Sequence, residues 1–399
     1  MNKKRISLTM ALGIMLLAVV TTAIIVCFAT TEFCRRELVD PYEYGALFAK
    51  YHEMQYLVDT YFVGDYDDQE LLDAMFAGYI DGLGDKWSGY YSAEQTEQIV
   101  QNNTNSYVGI GITFKQNEQD QYEITGLNTK GPALKAGFAI KDIIYKVNDT
   151  PASELETTDD VVAAVTGEEG TTVRITVLRG DEYIERELIR TKLFNECVEA
   201  RMLEGDIGYV VITDFAKNGD VEFKEKVNAL VEQGAKALIF DVRFNGGGYV
   251  SVMANMLDLL LPQGDIITMV DSAGIESKYR SDISCIDLPM AVLANEYSIS
   301  AAEFFAAALQ EYQVAKVIGD KTGGKGYAQS LFTLSDGSSV NISIYRYFTP
   351  TGKSLIGTGI TPDIEISLSD EDFVNFYYLT DEQDTQLQAA IEYVESLIK

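Results

Sequence analysis

The chain has 399 residues, and 47% of them are hydrophobic, which is enough to build cores for two or three domains. It carries 61 Asp and Glu against 31 Lys and Arg, a formal net charge of −30, so the basic footprint needed for sequence-independent nucleic-acid binding is missing. The only histidine is His52, which excludes a multi-histidine metal site and leaves a Ser-His-Asp triad nearly without a base.

Lys3, Lys4 and Arg5 precede a charge-free stretch over residues 6–31. Its length predicts one transmembrane helix, and the flanking positive charges predict a cytoplasmic N-terminus with everything after it outside. A cleaved signal peptide is the competing reading, but residues 28–32 offer no small-x-small cleavage site. Val26 is too bulky for a lipidation motif at Cys27. Cys34, Cys197 and Cys285 form no C-x-x-C pair, so neither a disulfide framework nor a zinc site is indicated.

Residues 32–105 read as an N-terminal helical region. Apolar residues recur at helical spacing over 42–62 and again over 70–83, with an acidic turn between them. The run Gly82-Leu-Gly-Asp85-Lys-Trp87-Ser88 breaks that pattern, and Trp87 is expected in a core. Residues 106–192 change to strand-like runs at 108–114, 122–127, 143–147, 173–178 and 183–189, with short helical patterns at 133–136 and 158–165. Within them, Val108-Gly109-Ile110-Gly111 has glycines that can turn backbone N–H groups toward a peptide carboxylate. Taken alone, such glycines also suit a simple strand entry. The later Gly131-Pro132-Ala133 helix start and the 142–148 strand and turn strengthen the binding reading. The helix over 158–165 offers Val161, Val162 and Val165 as an apolar wall for the last substrate residue.

Residues 193–399 alternate strand and helix. Strands are expected at 208–212, 237–241 and 290–294, and helices at 218–233, 250–261, 301–312 and 381–398. This is the pattern of an α/β domain. Two segments there carry chemistry. Ser298 and Ser300 lie just ahead of a helix, and Ser300-Ala-Ala-Glu303 also fits a capping box. Lys325 follows in the glycine loop Gly323-Gly324-Lys325-Gly326, with Gln329 four residues later. A phosphate loop would need Ser or Thr after the lysine, and position 326 is Gly. A desolvated lysine is the alternative base for a serine nucleophile.

Four stretches in order, Asp241-Val-Arg243-Phe-Asn245-Gly-Gly247-Gly248, Ser298-Ile-Ser300, Lys325…Gln329 and Thr349-Pro…Gly359-Ile-Thr-Pro362-Asp363, resemble the carboxyl-terminal processing peptidases, or tail-specific proteases, with a PDZ domain. The resemblance spans roughly residues 40–399. It implies a crotonase-like α/β protease core with an inserted PDZ-like α+β domain, behind the helical region and the anchor. It implies Ser300 as nucleophile, Lys325 as base, Gln329 as its support, and Gly247 and Ala301 N–H groups as the oxyanion hole. Ser298 is the rival nucleophile. The implied boundaries are 1–31, 32–105, 106–192 and 193–399. No metal or organic cofactor is implied. The partners would be polypeptides bound by their C-terminal tails and the membrane, not nucleic acid, and the reading leaves a homodimer open. Departures from the family pattern are Gly246 in place of proline, Tyr297 and Ile299 flanking Ser298, Ala302 and Gly323. The alternative reading is a catalytically inactive PDZ scaffold on a protease-like fold.

Overall fold

The computed structural model describes residues 41–155 and 157–398. The expected span at 6–31, Cys27 and Cys34 lie outside the described residues. Among those described, no helix is long and apolar enough to cross a membrane. The described residues divide between two units, one ending at Leu71 and one beginning at Leu72. In the first, the helix Pro41–Tyr61 carries His52 and leaves Leu47, Phe48, Met54 and Leu57 exposed.

The second unit holds the PDZ-like sheet, made of antiparallel strands Ile112–Gln116, Tyr122–Leu127, Ile143–Val147, Thr172–Arg179 and Glu182–Ile189. Val173, Ile175 and Val177 alternate onto one face and are fully buried, as a period of two requires. The helix Thr158–Val165 starts at a capping box in which Thr157 and Asp160 bond reciprocally. Val161 and Val165 point into this core and only Val162 is exposed, so the expected three-valine wall is reduced to one exposed valine. The strand Ser106–Gly109 pairs antiparallel with Thr191–Phe194, which clasps the two ends of the segment together.

A six-stranded sheet forms the centre of the larger domain. Its order is Val198–Leu203, Ile207–Ile212, Ala237–Asp241, Met290–Ala294, Ala315–Gly319 and Ile364–Glu365. The first pair is antiparallel and the rest are parallel. Parallel strands are covered on both faces, which explains the unbroken apolar runs at 237–241 and 290–294. Leu238, Phe240, Val292 and Val317 face the helices Gly219–Glu232, Val250–Asp258 and Ala301–Glu311. Ile239, Ala291, Leu293 and Ile318 face the C-terminal helix Thr385–Glu395 through Leu387, Ala390 and Val394. Cys197 and Cys285 are free thiols, and burial pushes the Cys197 thiol up to about 12.

A second sheet departs from the expectation. Strand Ser339–Phe348 lies between Gly89–Tyr91 and Gly264–Val270, with Glu276–Ser281 beyond and Tyr327–Thr333 also paired to Ser339–Phe348. Gly89 sits opposite Asn341 and Tyr91 opposite Ser339. Residues 89–91 are therefore a strand of the sheet that carries Gln329, not part of a separate helical region. Trp87 is correspondingly half-buried at a sheet edge instead of packed in a core. Three residues carry too short a pattern to mark a strand, and their partner is set only by tertiary pairing.

In the PDZ-like domain, Asp142 is buried and receives Arg179 through two hydrogen bonds of 2.6 and 2.7 Å. Burial acts to raise its pKa, but Arg179 and the Ala139 N–H hold it below the ordinary value. The pair's contribution is then complete above the ordinary aspartate range and fades as pH falls through the lowered value. Arg179→Leu should speed amide exchange along Thr172–Arg179 several-fold in the full chain at neutral pH, and should remove that acid dependence.

Candidate active site

The strand Met290–Ala294 ends in a turn that leads into the helix Ala301–Glu311. Asn295 organises the turn, its side-chain oxygen accepting from the Phe244 N–H at 3.0 Å and the Tyr297 N–H at 3.1 Å. Ser298 is fully buried. Its hydroxyl donates to the Val242 carbonyl at 2.8 Å and accepts from the Asn295 N–H at 2.9 Å. That hydroxyl is consumed as a fastener between two loops. Ser300 differs: it stands at φ 58° and ψ −119° at the head of the helix, 9% exposed. A non-glycine residue held there costs about 1–3 kcal/mol and needs its surroundings to enforce it.

Glu303 supplies the enforcement. Its carboxylate is fully buried, and Oε2 accepts from the Ser300 N–H at 2.9 Å and from the Lys325 N–H at 2.8 Å. Oε1 accepts from the Thr322 hydroxyl at 2.6 Å and the Gly324 N–H at 2.7 Å. The backbone nitrogens of Ser300 and Lys325 therefore sit no more than two hydrogen-bond lengths apart. The S-x-x-E signal was visible as a helix cap, but nothing in the sequence revealed that the same carboxylate also holds the lysine loop. The loop can come this close because it is glycine-built. A Cβ on Gly324 would meet the backbone of 357–359 at 3.1–3.2 Å, and one on Gly359 would strike the Thr322 carbonyl at 2.3 Å. The late Gly-x-Gly-Ile run is the other half of this interlock, with the Gly357 N–H on the Gly324 carbonyl and the Ile360 N–H on Thr322 Oγ1.

The third segment is the turn after Asp241. Arg243 is buried between Asp241 and Asp384, at 2.6 and 2.7 Å, and also donates to Gln386. Asn245, fully buried, donates to the Ile212 carbonyl and accepts the Ile299 N–H through its own carbonyl. Gly247 lies against the serine: a Cβ there would come within 2.9 Å of Ser300 Cβ and 3.2 Å of the Ala301 nitrogen. The expected oxyanion donors thus come together, with one qualification. The Gly247 N–H donates to Asn245 Oδ1 at 2.8 Å, within its own turn. The Ala301 N–H has no hydrogen-bond acceptor among the described residues.

The Lys325 amine lies 4.4 Å from the centre of the Trp87 ring. Burial lowers its pKa from the ordinary lysine value, against opposing pulls from Asp85 and Glu303. Gln329 does not meet the amine directly; its side-chain N–H groups go to the Tyr327 carbonyl at 3.2 Å and the Ser343 hydroxyl at 2.9 Å. The Ser343 N–H in turn donates to the Ser88 hydroxyl at 3.1 Å, and Ser88 donates to Asp85 at 2.6 Å. Gln329 therefore connects to the loop that carries Trp87 and Asp85, two residues the sequence did not assign to the site.

In the PDZ-like domain, Gly109 and Ile110 are buried, and Gly111 has φ +82°. The Ile110 carbonyl accepts from the Ala133 N–H and the Gly111 carbonyl from the Asn128 N–H. Gly111 is required sterically, since a Cβ would meet the Gly131 Cα at 2.9 Å. Val108 and Gly109 pair with Lys192 and Thr191. Replacing Gly111 would thus disturb this loop's packing as well as any carboxylate held by it.

Residues 206–366 match the profile of Peptidase family S41, and residues 108–189 match that of the PDZ domain. A protein of Staphylococcus epidermidis described as a probable CtpA-like serine protease is 31% identical over 311 residues, covering 76% of this chain and 63% of that relative. One from Staphylococcus aureus with the same description is 32% identical over 304 residues, covering 75% of this chain and 61% of the relative. Among solved structures, the photosystem II D1 C-terminal processing protease aligns with a TM-score of 0.47 and 25% identity, over 82% of this chain and 91% of that one. The two profile matches follow one another along the chain and contain the motifs whose contacts are described above; the chain spans less than two thirds of the length of these staphylococcal relatives, and it carries a region that matches Peptidase family S41 behind a region that matches the PDZ domain.

Proposed function

We propose that the protein is a serine endopeptidase with a Ser300–Lys325 dyad, which captures polypeptides by their C-terminal tails and cleaves them outside the cytoplasmic membrane, anchored by residues 6–31. The observation that carries this reading is the shared Glu303 oxygen, which accepts from the backbone of the serine and of the lysine alike. A scaffold on a decayed protease fold would need no such tie. The layered parallel sheet suits a crotonase-like core, and the staphylococcal relatives described as CtpA-like serine proteases support the reaction class.

In this mechanism Ser300 Oγ attacks the scissile carbonyl while the neutral Lys325 amine takes its proton. The oxyanion is received by the Ala301 N–H at the helix start and by a second N–H from the 246–248 turn. Lys325 returns the proton to the leaving amine. A water then attacks the acyl carbonyl as Lys325 takes its proton, the bond from Ser300 Oγ to the acyl carbon breaks, Lys325 returns the proton to Ser300 Oγ, and the product leaves as a free carboxylic acid. The base works only unprotonated, and burial acts in that direction.

Ser300→Ala and Lys325→Ala should each lower kcat/KM on an unstructured peptide by about 10³ or more, because the two act as a unit. Ser298→Ala should keep measurable turnover while losing roughly 1–3 kcal/mol of stability, since it leaves the Asn295 N–H without its acceptor and the Val242 carbonyl with only the Asn245 N–H. Cleavage that survives Ser300→Ala would sink the assignment. Glu303→Gln keeps the shape but turns an NH₂ toward N–H donors. It should cost more than tenfold in rate, and amide exchange at 322–325 should accelerate with it; unchanged exchange there would show that the tie is unimportant. Amidating a substrate's C-terminus should slow cleavage at least about tenfold, or about 1.4 kcal/mol, when free-acid and amidated peptides are compared. Equal rates would remove tail capture from the reading.

A further inference from the structure

Trp87 is the one aromatic ring recorded against the Lys325 amine among the described residues, and the catalytic reading gives it no task. It reaches this position because the strand that follows it, Gly89–Tyr91, joins the edge of the sheet that carries Gln329. The loop is fixed from several sides. The Trp87 N–H donates to Asp85 Oδ1 at 3.1 Å, and the Trp87 carbonyl accepts from Asn341 at 3.3 Å. Ser88 Oγ donates to Asp85 Oδ2 at 2.6 Å and accepts the Ser343 N–H at 3.1 Å. The backbone that carries the ring is thus fixed at several points, and Gln329 braces the loop through Ser343.

We propose that Trp87 is a positioning residue for the Lys325 amine: its indole is the surface on which the amine rests and which keeps bulk water from it, so that the 85–88 loop completes the peptidase site. The proposal rests on the Ser300–Lys325 reading. The ring acts on the amine in two opposed ways. Its face attracts the ammonium form, and its bulk removes the water that the ammonium needs. The charged groups around the contact are Asp85 on the same loop, Glu303 from the helix behind, and Lys86, whose amine lies 4.5 Å from the centre of the same ring. Both carboxylates favour the ammonium, so water exclusion is what works toward the neutral base. Opening the wall must therefore push the amine toward its charged form.

The test measures kcat/KM against pH for the full chain, using an unstructured free-acid peptide. Trp87→Leu should move the alkaline-rising limb up by roughly one pH unit and cut the rate at neutral pH about tenfold. Trp87→Phe should restore most of it, and Asp85→Asn should move the limb down. A limb that stays in place, or moves down, in Trp87→Leu overturns the proposal, because a purely structural role would lower the rate without moving the limb. A second measurement is independent of turnover. Trp87 is the only tryptophan in the chain, so all tryptophan emission comes from this ring, and the Lys325 and Lys86 variants separate its two amine neighbours. In a Ser300→Ala background the emission should titrate with pH, the transition should vanish on adding Lys325→Met, and it should persist on adding Lys86→Met. A transition that survives Lys325→Met, or no transition, overturns the contact. Full cleavage by Lys325→Met alone would instead overturn the dyad reading while leaving the fluorescence result standing.

Discussion

The Glu303 carboxylate accepts four hydrogen bonds inside a fully buried pocket, three from backbone N–H groups and one from the Thr322 hydroxyl. A carboxylate without water is costly unless its lone pairs are satisfied. Here the donors are mostly main chain, so satisfying the charge fixes backbone and not just side chains. The head of the helix and the lysine loop are drawn to one point. The strained dihedrals of Ser300 follow from this: its N–H is pulled to Glu303 on one side, and its Cβ is hemmed by Gly247 on the other. The glycines at 324 and 359 follow as well, because a loop pulled this close leaves no room for Cβ atoms between it and the 357–359 strand of chain.

A second buried ionic group does for the 241–248 turn what Glu303 does for the Ser300 and Lys325 segments. Arg243 is held by Asp241 and Asp384, and the Tyr209 hydroxyl donates to Asp241 at 2.6 Å. Such assemblies add little net stability, but removing one partner is severe because the other charge is stranded. Their value here is positional. Asp241 ends a central strand, Arg243 turns the chain, and Asn245 then reaches the Ile212 carbonyl on one side and the Ile299 N–H on the other. The C-terminal helix thereby enters the site indirectly, since Asp384 and Gln386 at its start complete the arginine's shell.

Much of this was legible in the sequence. The strands Ala237–Asp241 and Met290–Ala294 are recognisable because a buried parallel strand is apolar throughout. The helices after residues 218, 250 and 300 show through their spacing. Ser300 and Lys325 stand out through chemistry, one at a helix start and one in a glycine loop. What stayed hidden depends on pairing across long stretches of chain. Gly89–Tyr91 is too short to show a period, and its partner lies beyond the whole PDZ-like segment. Trp87 therefore read as core. Gln329 read as a direct partner of Lys325, whereas its amide goes to Ser343, because strand pairing at 329 and 343 decides which neighbours it meets. The family pattern ranked Ser300 ahead of Ser298, but the sequence offered no physical reason for it. They are separated by the acceptor that one of them has, the Val242 carbonyl.

The chain's acidity puts the proposed base and the proposed substrate tail under opposite demands. A net charge of −30 favours protonated lysine wherever the field reaches, yet exposed charges more than about 8 Å away are largely screened at physiological salt. What remains is local, and locally Asp85 and Glu303 both favour the ammonium. Glu303 cannot be moved away, since it is the tie that brings the lysine loop to the serine. The same carboxylate that ties the lysine loop to the serine therefore favours the ammonium form, and what opposes it is burial of the amine. This accounts for a lysine on a glycine loop being roofed by the largest side chain available. A substrate tail meets the same field with the opposite sign. In the proposed reading its carboxylate gains nothing from the protein at long range, so capture would rely on backbone N–H groups at close quarters, which a glycine-bearing loop such as 108–111 can present.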